Sequence, residues 1–188
     1  TQKSTIFVLN KDWHAGDDDS NGRIDSNETK GTFKYYKDGS EYGTSKGSLY
    51  LDELTMNLTI DLNGHTIDRG LTSAVSNGYV LYMDIYGSIT IKDSSEAQTG
   101  KITGGNNKDN GGAIYVDYGK LHVNGGSITG NKAEYGGAIY CDEKDNAIVY
   151  IQDDAKIYGN TATQEGGGIY VYNGYLYIFI SFETQRRQ

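Results

Sequence analysis

The chain has 188 residues, among them 26 glycines, 17 tyrosines and no proline. That is enough for one core but not two, and it argues against collagen-like and proline-rich linker architectures. A net charge of −8 lacks the basic footprint that phosphate contacts need, which argues against nucleic acid and anionic membrane surfaces as partners. A single cysteine, Cys141, leaves no internal disulfide.

In chain order, Thr5 to Leu9 is a short apolar strand followed by the single tryptophan, Trp13. It is read as the start of an N-terminal cap over residues 1–49, because the open end of a β-coil presents unpaired backbone groups that need cover. Within it, Asp17 to Glu28 matches the calcium-loop pattern D-x-[DN]-x-[DN]-G-x5-E. Asp17, Asp19, Asn21, the carbonyl of Arg23, Asp25 and both carboxylate oxygens of Glu28 would supply the ligands for Ca2+, with Gly22 making the sharp turn. The flanks lack helical periodicity, so the pattern resembles the calcium loop alone and not a helix–loop–helix hand. Lys30 to Ser48 is assigned to loops and short strands of the cap.

From Ser48 a regular pattern takes over. Leu58 to Ile67 alternates and turns on Asn63-Gly64. Gly111-Gly112-Ala113-Ile114-Tyr115-Val116-Asp117 returns as Gly136-Gly137-Ala138-Ile139-Tyr140-Cys141-Asp142 and as Gly166-Gly167-Gly168-Ile169-Tyr170-Val171-Tyr172, with a weaker copy from Gly78 to Asp84. The variable spacing of these copies suits coils with insertions in their turns. Inside each copy, period-2 alternation puts the aliphatics on one face and tyrosine on the other. Short strands separated by Gly, Asn and Asp corners, with no helical segment between them, predict an all-β parallel β-helix over 50–182 and a polar tail over 183–188. About five coils are expected from the repeat. Leu81, Ile114, Ile139 and Ile169 should stack as a core ladder, and Asn106, Asn131 and Asn160 as an amide ladder. Cys141 stands where sibling copies have valine and is read as a small buried hydrophobe.

The Gly-Gly-Ala-Ile copies, each preceded by Gly-Asn (Gly105-Asn106, Gly130-Asn131, Gly159-Asn160), resemble the repeats of chlamydial polymorphic outer-membrane proteins and of many bacterial right-handed β-helix surface proteins. Asp61 to Ile67 is similar to the first rung of such helices in surface proteins of gut bacteria. The resemblance covers residues 50–180. It implies a right-handed coil and an extracellular or cell-surface location, but says little of activity, because the same coil hosts adhesins, pectate lyases and glycosidases.

Candidates for chemistry are few. Gln152-Asp153-Asp154 has a faint likeness to the paired aspartates of polygalacturonases, but it lies where a polar corner is expected. Arg69 is the sole arginine of the coiled region, and His14, His65 and His122 fit no metal spacing. The most suggestive feature is outward tyrosine: Tyr82, Tyr115, Tyr140 and Tyr170 should stack on one face with Asp84, Asp117 and Asp142 on the same side. Such a strip would bind a glycan or protein partner, although aromatic ladders also stabilise sheets without a ligand. The reading is a non-enzymatic surface binding or adhesion module. The alternative is a carbohydrate-active enzyme, either a polysaccharide lyase or a glycoside hydrolase. The apolar run from Tyr175 to Phe182 predicts self-association through the C-terminal coil edge.

Overall fold

The computed structural model describes residues 3–15, 35–37, 40–43, 47–54, 56–142 and 146–179. The calcium-loop residues Asp17, Asp19, Asn21, Arg23, Asp25 and Glu28, and the tail 183–188, lie outside them. Every described element is a strand.

The coils follow one another in chain order. β1 (Lys3–Val8) and β2 (Trp13–His14) come first, then a small hairpin of β3 (Tyr35–Lys37) and β4 (Ser40–Gly43). A coil of β5 (Leu49–Leu54), β6 (Met56–Asp61) and β7 (Thr66–Asp68) is succeeded by β8 (Leu81–Lys92) and β9 (Lys101–Thr103). The next coil holds β10 (Ile114–Val123), β11 (Ser127–Thr129) and β12 (Lys132–Ala133). After it come β13 (Ile139–Cys141), β14 (Ala147–Ile151), β15 (Lys156–Tyr158) and β16 (Thr161–Ala162), and finally β17 (Ile169–Val171) and β18 (Tyr175–Ile178).

Strands from successive coils pair in parallel. The main sheet has 9 strands, ordered β1-β6-β8-β10-β13-β17 with β5, β14 and β18 attached. A second sheet has 5, ordered β15-β11-β9-β7-β2, and β12 pairs with β16 along a third side. The result is a parallel β-solenoid of about 4 turns, close to the expected five. The parallel stack also begins before residue 50. β1 lies on β6 with Thr5 opposite Leu58 and Phe7 opposite Ile60, and β2 lies on β7 with Trp13 opposite Ile67. The first two strands of the expected cap are therefore part of the stack itself.

Alternation decides what enters the core. Leu49, Leu81, Ile114, Ile139 and Ile169 are register partners, one per coil, as are Leu58, Ile89, Leu121, Val149 and Leu176. Ile114, Ile139, Ile89 and Leu121 are completely buried. From the second sheet, Ile67, Ile102, Ile128 and Ile157 form the facing ladder.

Asparagine holds the corner between the second and third sides. Asn131 is fully buried. Its Oδ1 accepts the Gly105 N–H at 3.0 Å, and its Nδ2 donates to the carbonyls of Ile102 and Thr129 and to Asn160 Oδ1. Asn160 repeats the arrangement one coil on, donating to Ile128 and Tyr158. Asn106 does not join this ladder. The bridge Asn106 to Lys132 sets Gly105, not Asn106, opposite Asn131, because Thr103-Gly104-Gly105 carries one glycine more than Thr129-Gly130-Asn131. Asn131→Ala strands the Gly105 N–H and two carbonyls in the interior, so urea unfolding should register a loss of about 3 kcal/mol.

Candidate functional site

The tyrosines singled out by the repeat come together on the outer face of the main sheet. Register pairs Tyr82 with Tyr115, Tyr115 with Tyr140 and Tyr140 with Tyr170. Their ring centroids are separated by 5.5, 5.1 and 5.7 Å. The ladder also has a fifth member: Tyr50 stacks on Tyr82 at 4.3 Å with rings 3° from parallel. Its signal lay in Gly47-Ser48-Leu49-Tyr50-Leu51-Asp52, which copies the aliphatic-Tyr-aliphatic-Asp pattern and keeps the second glycine of the later copies but not the first.

The carboxylates are placed differently from the expectation. Two of the tyrosines reach diagonally to the next coil: Tyr82 Oη donates to Asp117 at 2.5 Å, and Tyr115 Oη donates to Asp142. Asp84 pairs across the sheet with Tyr118, not Asp117, because the register slips between Val116 and Tyr118. Asp117 is the extra residue of that bulge, so the three aspartates do not stand in one straight row.

Nor is the strip an open surface. Tyr140 is only 6% exposed and Asp117 only 8%, a correction to the outward, exposed reading. Outward parity names the face but not what lies over it. Tyr79, itself buried, packs 5.5 Å from Tyr82 and 6.1 Å from Tyr115, and Tyr135 packs 5.0 Å from Tyr170. Tyr79 occupies the position of the second glycine in the later copies, so the weak repeat supplies the ring that covers the start of the ladder.

Burial, then the Asp117 and Asp142 carboxylates that their hydroxyls approach, push the phenols of Tyr82 and Tyr115 well above the ordinary value of 10.0. A group whose folded pKa is raised contributes stability that is complete below its unfolded pKa and is lost as pH rises beyond it. Stability should therefore hold to about pH 10 and fall above it, with tyrosinate absorbance rising together with loss of the β-sheet signal. Ionisation of all 17 tyrosines within an intact fold would contradict the buried ladder.

Other candidates find structural employment. Asp153, at φ 51°, and Asp154 are exposed turn residues between β14 and β15. Arg69 is buried, and burial lowers its guanidinium to about 10; it donates to the carbonyls of Asn77 and Tyr79. His14 and His65 lie against Asp12 and Asp68 where the first coil meets the second. Among the described residues, no group of three or more His, Cys, Asp and Glu is placed to hold a metal ion. Cys141 is fully buried, and burial raises its thiol to about 11. It should react with a thiol reagent at neutral pH only after unfolding; labelling of the native chain at the rate of a free thiol would contradict this.

Sequence reasoning missed a second aromatic row, His122, Tyr150 and Tyr177, on the other half of the same face, and a separate pair, Tyr86 and Tyr118, between the two halves. His122 stacks on Tyr150 at 4.5 Å and 5°, Tyr150 stacks on Tyr177 at 5.2 Å and 15°, and Tyr86 lies 5.2 Å from Tyr118. Tyr86 is 58% exposed. The row was hard to see because the spacing from the first tyrosine of each coil changes with the residues between β13 and β14.

These coils define the class: a parallel β-helix repeat protein. The Chlamydia polymorphic membrane protein repeat matches residues 125–142 and 154–172, each match spanning a second-sheet strand, its asparagine corner and the following Gly-Gly strand. This repeat points to a surface-associated, passenger-type β-helix. No curated protein and no solved structure matches the chain. No helix among the described residues is long and apolar enough to cross a membrane.

Proposed function

We propose that this chain is a non-catalytic binding segment displayed at a cell surface, which grips a protein partner with the outer face of its main sheet. The observation carrying this reading is the second aromatic row, His122, Tyr150 and Tyr177, with the separate pair Tyr86 and Tyr118 on the same face, set on a rigid parallel scaffold. A sugar ring binds an aromatic through the ring face. Here the faces of His122 and Tyr150 are turned to one another, leaving rims and polar edges of the kind protein interfaces use. The first ladder, with its Tyr82 and Tyr115 hydroxyls bonded to aspartates, supports that face from one side. The surface-associated repeat class agrees with display. Calcium at Asp17 to Glu28 is retained as a proposal on the sequence pattern alone; it requires that thermal unfolding rise in millimolar calcium relative to chelator.

The test is adhesion of chain-coated beads to bacterial and animal cells, comparing the natural sequence with a Tyr86→Ser, Tyr150→Ser double variant of unchanged fold. Adhesion abolished by the double variant and by protease treatment of the cells is expected. Adhesion that survives protease and is lost to glycosidase would reassign the partner to a glycan, and absence of adhesion would overturn the binding reading. Cleavage of a polysaccharide panel by the chain would instead support the carbohydrate-active alternative.

A further inference from the structure

With 17 tyrosines and a single cysteine, these 188 residues hold no disulfide, and the covalent chemistry they carry in quantity is that of phenols. Two criteria select among the tyrosines. Coupling of two phenols joins ring carbons ortho to the hydroxyls through a bond in the plane of each ring, which rings stacked face to face cannot form without turning. One ring must also be open to the oxidant. Tyr50 with Tyr82, Tyr140 with Tyr170 and Tyr150 with Tyr177 lie 3°, 8° and 15° from parallel. Tyr86 and Tyr118 are inclined at 56° with centroids 5.2 Å apart, and Tyr86 is 58% exposed. Tyr79 with Tyr115, at 55°, and Tyr135 with Tyr170, at 58°, are inclined as well, but those four rings are buried or half-buried.

The irregular register between β8 and β10 brings the selected pair together. Asp84 opposes Tyr118 and Ser88 opposes Lys120, so Ile85, Tyr86 and Gly87 of one coil face Gly119 alone in the next. A Cβ at Gly119 would sit 2.5 Å from the Ile85 carbonyl oxygen, and its absence lets the backbones beside the two rings close up. A bond between the side chains would tie the two coils where their backbone register lapses.

From this geometry we infer that Tyr86 and Tyr118 form an oxidative cross-linking site, which a one-electron oxidant of the haem-peroxidase class converts to a dityrosine staple between successive coils. Each phenol gives one electron and its hydroxyl proton to the oxidised haem, leaving two phenoxyl radicals. Their unpaired electrons form one carbon–carbon bond between ortho positions, and the hydrogen on each joined carbon moves to the oxygen, restoring the hydroxyl. One peroxide is reduced to two waters and the chain loses two hydrogens. The staple closes the chain between residues 86 and 118 and restricts the unfolded state as a disulfide would. This inference is independent of any partner held on the aromatic face.

Hydrogen peroxide and a haem peroxidase applied to the dilute full chain test it, read by dityrosine fluorescence and by mass spectrometry of a tryptic digest. Trypsin leaves Tyr86 in peptide 70–92 and Tyr118 in peptide 109–120. The natural chain should lose two hydrogens while remaining a single chain, and these two peptides should appear joined. Tyr86→Phe and Tyr118→Phe keep a ring but lack the hydroxyl, and each should abolish the joined peptides. Tyr115→Phe, in the same peptide as Tyr118, should retain them, with circular dichroism confirming each fold. Joined peptides that survive Tyr86→Phe, their loss in a folded Tyr115→Phe chain, cross-links only between chains, or oxidation without dityrosine would each overturn the inference.

Discussion

Ile139→Ala is expected to destabilise the chain by about 2–5 kcal/mol, the range for deleting a buried aliphatic side chain from a core that relaxes only partly. Ile139 is fully buried between Ile114 and Ile169 in a parallel ladder. Ile169→Ala removes the same atoms from a site that is only partly buried, so its loss should be clearly smaller in the same urea series. Tyr140→Ser belongs with the large effects, because Tyr140 is 6% exposed and stacked between Tyr115 and Tyr170. Equal losses at Ile139 and Ile169 would mean that the last coil is covered as fully as the inner ones.

Gly137→Ala is the second large effect, and Gly167→Ala is its control. A Cβ at Gly137 would sit 2.4 Å from the Gly167 carbonyl oxygen and 2.6 Å from that of Thr161. Both contacts are backbone, so no side chain can swing aside and two coils must separate. Overpacking of this kind costs about 3 kcal/mol. At Gly167 the nearest atom to a Cβ is 3.6 Å away, ordinary van der Waals contact, and alanine should be tolerated. The second glycine of the repeat is thus required by its neighbour in the following coil, and thermal unfolding of the two variants separates this cause from a general need for flexible corners.

Much of this architecture was legible in the residues. Ile-Tyr-Val and Ile-Tyr-Cys fixed both the strand and its buried side, and the ladder of Leu81, Ile114, Ile139 and Ile169 is the one that alternation predicts. Three features were not legible, each for a physical reason. β1 and β2 carry no glycine corner, so a first coil lying directly on β6 and β7 looked like an unrelated cap. Gly105-Asn106 matches the corner dipeptide but stands one residue late, and only the pairing of Asn106 with Lys132 exposes the slip. The bulge at Asp117 likewise leaves the alternation intact while turning a straight acidic row into diagonal tyrosine contacts. Periodicity specifies the face of a strand, whereas register and cover come from the neighbouring coil.

The central claim is that consecutive coils lie parallel in the stated register, and disulfide trapping measures it directly. Ser88 and Lys120 are register partners on the outer face of β8 and β10, and Thr90 lies two residues further along the same face. Parallel partners stand about 4.8 Å apart, within disulfide range, while a two-residue offset places the Cα atoms beyond about 7 Å. Ser88→Cys with Lys120→Cys should oxidise rapidly to an intramolecular bond in the native chain, and Thr90→Cys with Lys120→Cys should not. Preferential closure of the second pair, or of neither, would contradict the stacking on which the ladders, the asparagine corner and the aromatic face all depend.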